Sequence, residues 1–522
     1  MARKPLSRLL SRALHLATRA NREGIPVDEL PELERHQQQL KIAKLKRRKL
    51  LKMMGAFGGG TMLAVGCKHS SSSPLPHGIE AKIAIVGAGL AGLNAAYQLK
   101  KAGYRATIYE ASNRIGGRMY TIKDVVGKDI WVDRGAEFIN SDHRDMRSLA
   151  REFNIPLLDR YASEERELND LYYFDGGTIS ESKLTDAFLL IAERIAVDAD
   201  RLSEAWESAS VELDALSVAE YCDRLGISGW PRKLIDVFLT SEMGLEPEEI
   251  TALSLIWSFG GEGNSDERFL VQNGTQSITD AIAREVQDQI ETGMTLEALR
   301  DRGNGFTLTF NGTDIEVDIA IVTVPFSVLR QVRLDLTLPD KLERFIRQVG
   351  YGNNVKVTTG FTGKPWREVR LNGRGTSDLS WQFCWDATQL QPVKTGALTF
   401  YTGGKAGLSS DRYSEVENAK IYIKPLVPLI SNLQETWNGK ATRLHWPSSP
   451  YARGSYACFK PGQYTGFIQD SVYLEGQTKQ ECAYGNLIFA GEHSSDEYQG
   501  YMNGAAQSGR LAAKAALMRL NA

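Results

Sequence analysis

The first strong hydrophobic pattern is Ile83-Ala-Ile-Val86, apolar at every position and stopped by Gly87. An unbroken apolar run predicts a strand over Lys82–Val86 that is covered on both faces, as in parallel sheets. Apolar residues then recur at helical spacing from Leu90 to about Ala102, and a second short strand is predicted over Ala106–Tyr109. Strand, helix and strand together read as a βαβ unit. Beyond Gly135, apolar spacing of three and four predicts helices over 143–155, 183–210, 216–224 and 231–241. Strand patterns return over 305–323, ending in Ile319–Val324, and again over 354–362 and 380–402. A last apolar strand near Leu487 and a helix from about Gly500 close the chain.

Length changes the picture first: 522 residues suffice for two or three domains. A net charge of -2 gives no overall basic bias toward nucleic acid. Charge is locally uneven. Lys41–Lys52 holds seven basic residues and no acid, and Met53–Gly66 carries no charge. That apolar stretch is too short to span a membrane. A basic region followed by a short apolar one is the pattern of an export signal, and Arg47-Arg48 resembles a twin-arginine leader. The alternative is a basic amphipathic surface helix. Leu63–Cys67 loosely resembles a lipoprotein processing site, so a lipid anchor at Cys67 and a periplasmic or membrane-anchored location are expected. Residues 68–80, with a Ser run and two prolines, read as a linker. The remaining cysteines, Cys222, Cys384, Cys458 and Cys482, match no zinc spacing and read as buried free thiols.

The chemistry begins at Gly87-Ala-Gly89-Leu-Ala-Gly92, directly between a predicted strand and a predicted helix. There the glycines admit a tight turn and close approach of backbone to a pyrophosphate, and the helix start offers free N–H groups. Glu110, eighteen residues after Gly92, ends the second strand, where a carboxylate can accept ribose hydroxyls. A second element follows: Arg114-Ile-Gly116-Gly117-Arg118, which a nicotinamide site does not require. Two glycines and two arginines suit a flat or phosphorylated ligand. A matching half-site stands almost 400 residues later, in Gly491-Glu492 and Gly500-Tyr501-Met502. Two half-sites at opposite ends suggest one cofactor gripped from both.

These residues together resemble the flavin amine oxidase family: monoamine oxidases, polyamine oxidases and L-amino-acid oxidases. The resemblance spans most of 82–517. It implies an α/β fold, with a Rossmann-like FAD-binding domain interleaved with an α+β substrate domain. The expected division is 81–145, 268–335 and 446–522 for FAD, and 146–267 and 336–445 for substrate, after an export signal over 1–67. The resemblance implies that Gly491 and Glu492 bind the ribityl and pyrophosphate region. It implies that Gly500, Tyr501 and Met502 turn into a helix whose N-terminus points at the flavin. Gly135, Ala136 and Glu137 form a loop near the flavin ring. Tyr456 and Tyr501 are matched to an aromatic cage, and Lys356 to the lysine that serves flavin reoxidation. A solvent-facing position remains the alternative for Lys356. Ser455 stands where the mammalian monoamine oxidases carry a flavin-tethering cysteine, which implies FAD bound without a covalent bond. Arg268, before Asn273-Gly274, resembles the segment that re-enters the cofactor domain.

The implied activity is oxidative deamination of a primary amine or L-amino acid, with O2 reduced to hydrogen peroxide. A homodimer is the candidate assembly. Glu137 and His143 are candidate substrate contacts, though the surface reading of His143 is the stronger. Arg134 and Arg147 are candidate partners for a substrate carboxylate. Two other readings stay open: a tryptophan 2-monooxygenase-like enzyme, and a flavin-binding electron-transfer protein that is no oxidase.

Overall fold

The computed structural model describes residues 81–161, 168–260, 266–473, 475–476 and 482–521. The expected export signal, Cys67 and the linker lie outside the described residues. Among the described residues no helix is long and apolar enough to cross a membrane.

The two predicted strands pair in parallel as Ile83–Val86 and Thr107–Glu110, joined by the helix Leu90–Lys101. They sit inside a six-stranded sheet. Ile319–Val322 flanks Ile83–Val86 in parallel, and Leu487–Phe489 flanks Ile319–Val322. Ile290–Thr292 forms one edge, and the short antiparallel strand Ala483–Tyr484 the other. Every residue of Ile83–Val86 and of Ile319–Val322 is buried. Each large aliphatic side chain covered in this way contributes about 1.5–3 kcal/mol. Chain segments some 400 residues apart thus enter one sheet, with Ile319–Val322 between them.

The C-terminal helix, Met502–Leu520, packs along Leu90–Lys101. Small residues allow the close approach: a Cβ on Gly509 would stand 2.3 Å from the carbonyl oxygen of Ala91. Asn94 Nδ2 donates to the carbonyl of Ala506 at 2.7 Å across the same seam.

A second, seven-stranded sheet has the order Trp437–His445, Val355–Phe361, Gly396–Thr402, Phe383–Asp386, Leu371–Ser377, Asn169–Phe174 and Gly177–Thr178. Its helical cover includes Gly229–Met243 and Glu415–Ile423. The expected helix over 183–210 is two helices, Glu181–Glu204 and Trp206–Asp214, broken at Ala205, whose φ of -136° and ψ of 55° leave the helical region. The expected strand over 305–323 divides between two sheets. Phe306–Phe310 and Thr313–Val317 belong to a separate four-stranded sheet, and Ile319–Val322 alone joins the parallel one.

Candidate functional site

A cavity of about 520 Å³ runs between the two sheets and collects residues from both ends of the chain. At one part lie Gly87, Gly89, Glu110, Arg114, Gly117 and Arg118; at another, Gly135, Ala136, Glu137, Lys356, Tyr456 and Tyr501. Gly491, Glu492, Gly500 and Met502 complete the wall. Of the expected cofactor-binding and cage residues and Lys356, the structure therefore brings all but one to this cavity. The exception is Gly92, which shapes the turn from behind: a Cβ there would stand 2.0 Å from the Gly87 carbonyl oxygen.

Two helix starts open on this space. Leu90–Lys101 begins after Gly89 and Met502–Leu520 after Tyr501, and neither has a side-chain cap. Their first N–H groups and positive dipole ends are left for an anionic or electron-rich ligand. Gly87, with φ of +103°, supplies the backbone conformation that makes the first turn sharp.

Glu110 Oε2 accepts the Ala88 N–H at 2.8 Å, and Oε1 accepts the Ser112 N–H at 2.9 Å and its hydroxyl at 2.7 Å. The carboxylate is thereby fixed at the strand end, with lone pairs remaining for hydroxyl donors. Arg114 is turned into its own loop. It donates to the carbonyls of Ile115 at 3.1 Å and Gly117 at 2.6 Å and lies 4.2 Å over the Tyr120 ring.

Arg118 joins the two half-sites. Its Nη1 donates to Glu492 Oε1 at 2.8 Å and to the Ser455 carbonyl at 2.9 Å. Glu492 also accepts the N–H groups of Ala457 at 3.1 Å and Gly500 at 2.8 Å. Burial pushes the Glu492 carboxyl up, but Arg118 and the Ala457 N–H hold it below the usual carboxylate range. An ion pair with three further hydrogen-bonding groups around it is the arrangement in which a buried charge is tolerated.

With this geometry in view, the match to known proteins is decisive. The family model for flavin containing amine oxidoreductases matches residues 90–517. The chain belongs to this family. A probable flavin-containing monoamine oxidase A of Dictyostelium discoideum is 23% identical over 456 residues, covering 82% of this chain and 95% of that protein. An L-amino acid dehydrogenase of Synechocystis is 25% identical over 466 residues, 83% of this chain and 93% of that protein. The fold is similar to the solved cyclohexylamine oxidase from Brevibacterium oxydans, with a TM-score of 0.73 at 20% identity over 85% of this chain and 100% of that one. As a flavin-containing amine oxidoreductase, the chain is an enzyme that uses a flavin cofactor. The glycine turn, the two uncapped helix starts and the cavity joining them fit such a group.

The remaining wall of this amine oxidoreductase comes from the seven-stranded sheet. Lys356 pairs with Tyr401, Tyr401 with Phe383 and Phe383 with Thr376, so these four side chains form one row across the sheet. Trp385, two residues beyond Phe383, shares the face. Lys356 is 7% exposed, which answers the solvent-facing alternative. Its ammonium donates to Glu137 Oε2 at 2.7 Å and to the Asp133 carbonyl at 3.0 Å, and lies 4.9 Å over the Trp385 ring. Glu137 is accordingly not a free substrate contact. Its other oxygen accepts the Trp385 indole N–H at 2.9 Å.

Tyr456 and Tyr501 both line the cavity, as the cage expectation requires. The Tyr456 hydroxyl meets that of Tyr401 at 3.2 Å and bonds the Glu242 carbonyl. Burial raises both phenols well above their ordinary value, so they remain neutral hydroxyls. Tyr501 is backed by His143, edge-on at 5.0 Å.

Three expectations need correction. His143 is not at the surface: it is 1% exposed, accepts the Asn140 N–H at 3.1 Å, and burial holds its imidazole well below its ordinary value. The helix Arg144–Glu152 that follows it docks on the C-terminal helix, where the Met146 N–H donates to Asn503 Oδ1 at 3.1 Å, and this carries His143 inward. Arg134 and Arg147 do not line the cavity. Arg134 bonds the Arg443 carbonyl and lies over Tyr120, whereas Arg147 bonds the Ser141 carbonyl and lies over Phe269. Arg268, which begins the segment resembling the re-entry into the cofactor domain, is paired with Asp159 at 2.6 Å. Asn273 takes φ of +65°, which asparagine tolerates better than most residues.

Sequence reasoning missed Glu242, Glu267, Phe383, Trp385 and Tyr401, all on the cavity wall. The aromatic pair Phe383 and Trp385, at strand spacing, was a usable signal. The two glutamates carried none.

Proposed function

We propose that the chain is an FAD-dependent oxidase of primary amines that lack an α-carboxylate. The reading rests on the charges around the aromatic part of the cavity. The carboxylates Glu242 and Glu267 line it. Of the three cations on the cavity wall, Lys356 and Arg118 are already paired with Glu137 and Glu492, and Arg114, at the glycine-turn part, is turned into its own loop onto the Ile115 and Gly117 carbonyls. A substrate carboxylate there meets no unpaired cation among the described residues, whereas an amine meets aromatic faces and oxygen acceptors.

When bound, FAD supplies the acceptor for two electrons and a hydrogen from the amine α-carbon, and passes the electrons on to O2. The chain does the rest. Tyr456 and Tyr501 confine the amine and exclude water, and the Tyr401 and Tyr456 hydroxyls give that pocket its polar edge. Lys356 holds a positive charge beside the flavin-facing loop, Gly135–Glu137. FAD is held without a covalent bond: Ser455 takes the place of the tethering cysteine, and the four cysteines of the described residues are buried and off the cavity wall.

A second reading has one observation in its favour. Arg374, 4% exposed, bonds Glu267 and lies 5.1 Å over the Phe383 ring, and its Nη1 has no hydrogen-bond partner. Release from Glu267 would turn it toward an amino-acid carboxylate. Anaerobic mixing separates the two readings. Each L-amino acid is paired with its decarboxylated amine, and bleaching of the flavin absorbance is followed. Bleaching by the amines alone is expected. Bleaching by the acids would remove the proposal and point to Arg374.

A further inference from the structure

Glu137 stands between two cavities. One is the large cavity described above. The other is about 10 Å³, room for one water, and is lined by Glu137, Asp133, Trp131, Gln389 and Gln391 among others. Asp133 ends the short strand Trp131–Asp133 and is 7% exposed. Its Oδ1 accepts the Thr121 hydroxyl at 2.5 Å and the Thr275 N–H and hydroxyl at 3.0 Å each. Oδ2 takes none of these donors. Lys356 spans the two acidic residues, bonding the carboxylate of Glu137 and the backbone carbonyl of Asp133. So a lysine on the large cavity is backed by two buried carboxyl groups that line one small void apart from that cavity.

We propose that Asp133 and Glu137 form a proton-sharing pair that serves Lys356 through one water in the small cavity, with Glu137 as the positioning residue of the ammonium. Lys356 gives a proton to the oxygen-derived anion of the oxidase reaction. Glu137, protonated through the water, returns one to the lysine amine. The water takes the replacement from Asp133, whose O–H bond breaks. Each transfer breaks one bond to hydrogen and forms another, so the net change is one proton from Asp133 to the large cavity, with nothing oxidised or reduced. Solvent water reprotonates Asp133 between turnovers.

The groups facing Asp133 set its charge. Burial raises its carboxyl to about 7, and the negative Glu137 adds to the rise, against Thr121, Lys356 and Thr275. Arg160, 4.8 Å over the Phe138 ring, is a further cation within reach of Glu137. Near neutrality part of the Asp133 population therefore keeps a proton to give. A carboxyl raised in the folded state binds a proton that the unfolded chain releases. Its contribution to stability is present at acid pH and is lost as pH rises from about 4 to about 7.

The pair exists without substrate, so its test is separate from that of the amine-oxidase reading, on which only its use depends. Infrared difference spectra of the flavin-loaded protein are titrated through neutrality for wild type, Asp133→Asn and Glu137→Gln. Expected is a carboxylic-acid C=O band with a midpoint near 7. It should be absent in Asp133→Asn and moved down by about one pH unit in Glu137→Gln. Thermal stability should lose its fall across the same window in Asp133→Asn. In turnover, kcat should lose its limb near neutrality in that variant while KM for amine stays put. A band that survives in Asp133→Asn, or a midpoint unmoved in Glu137→Gln, overturns the pair. If Asp133→Asn does not fold, Glu137→Gln decides alone, because it keeps Asp133.

Discussion

Glu492→Ala is expected to destabilise the protein by about 3–5 kcal/mol and to leave it colourless after gel filtration. Glu492 is 4% exposed and is the point at which the N-terminal and C-terminal half-sites are tied. Its removal strips Arg118 of its only ion-pair partner among the described residues, at a side-chain exposure of 23%. It also frees the N–H groups of Ala457 and Gly500, which frame the entry to the C-terminal helix. A charge left buried costs more than the pair was worth, because its desolvation is no longer offset. Thermal melting and the ratio of flavin to protein absorbance check both parts. An unchanged Tm would show that the staple is dispensable. Colour that persists through denaturation would show a covalent flavin.

Lys356→Met should keep flavin bound and leave its anaerobic reduction by amine within a few-fold of wild type. Reoxidation by O2 should slow by about a hundredfold, the scale on which a single aligned charge acts in a water-poor site. Among the described residues the lysine is the one cation that the seven-stranded sheet adds to the cavity wall. Its loss removes the ammonium bonded to Glu137 and leaves the Trp385 indole N–H bond to that carboxylate. Stopped-flow mixing of the reduced enzyme with oxygen checks this directly, and an unchanged rate would remove Lys356 from the chemistry.

What the sequence disclosed follows from locality. Gly87–Gly92, Glu110 and Arg114–Arg118 lie within one βαβ unit, where each residue's place depends on near neighbours. Their partners in the cavity, Gly491–Glu492 and Gly500–Met502, are legible for the same reason: a short apolar strand and a helix start bracket them. Lys356 stood out because a lysine in an apolar strand needs a partner. That partner, Glu137, comes from a loop 219 residues earlier that only the tertiary fold brings beside the strand. The rest of the wall was hidden for the same cause. Tyr401 and Phe383 face the cavity through strand register, and Glu242 lies at the end of the helix Gly229–Met243, where nothing local marks it. Leu371–Ser377 was missed as a strand because its two glycines and asparagine erase the alternation. His143 read as surface because a polar residue before a charged helix ordinarily is. Only the docking of that helix on the C-terminal one buries it.

Oxidase or dehydrogenase is the distinction on which the proposed function turns, given relatives with either name. The deciding measurement is peroxide release in air, coupled to peroxidase, from the amine that bleaches the flavin. Expected is one peroxide for each amine consumed, with no added electron acceptor. Bleaching that yields no peroxide, with turnover only when an artificial acceptor is supplied, would contradict the oxidase and make this family member a dehydrogenase.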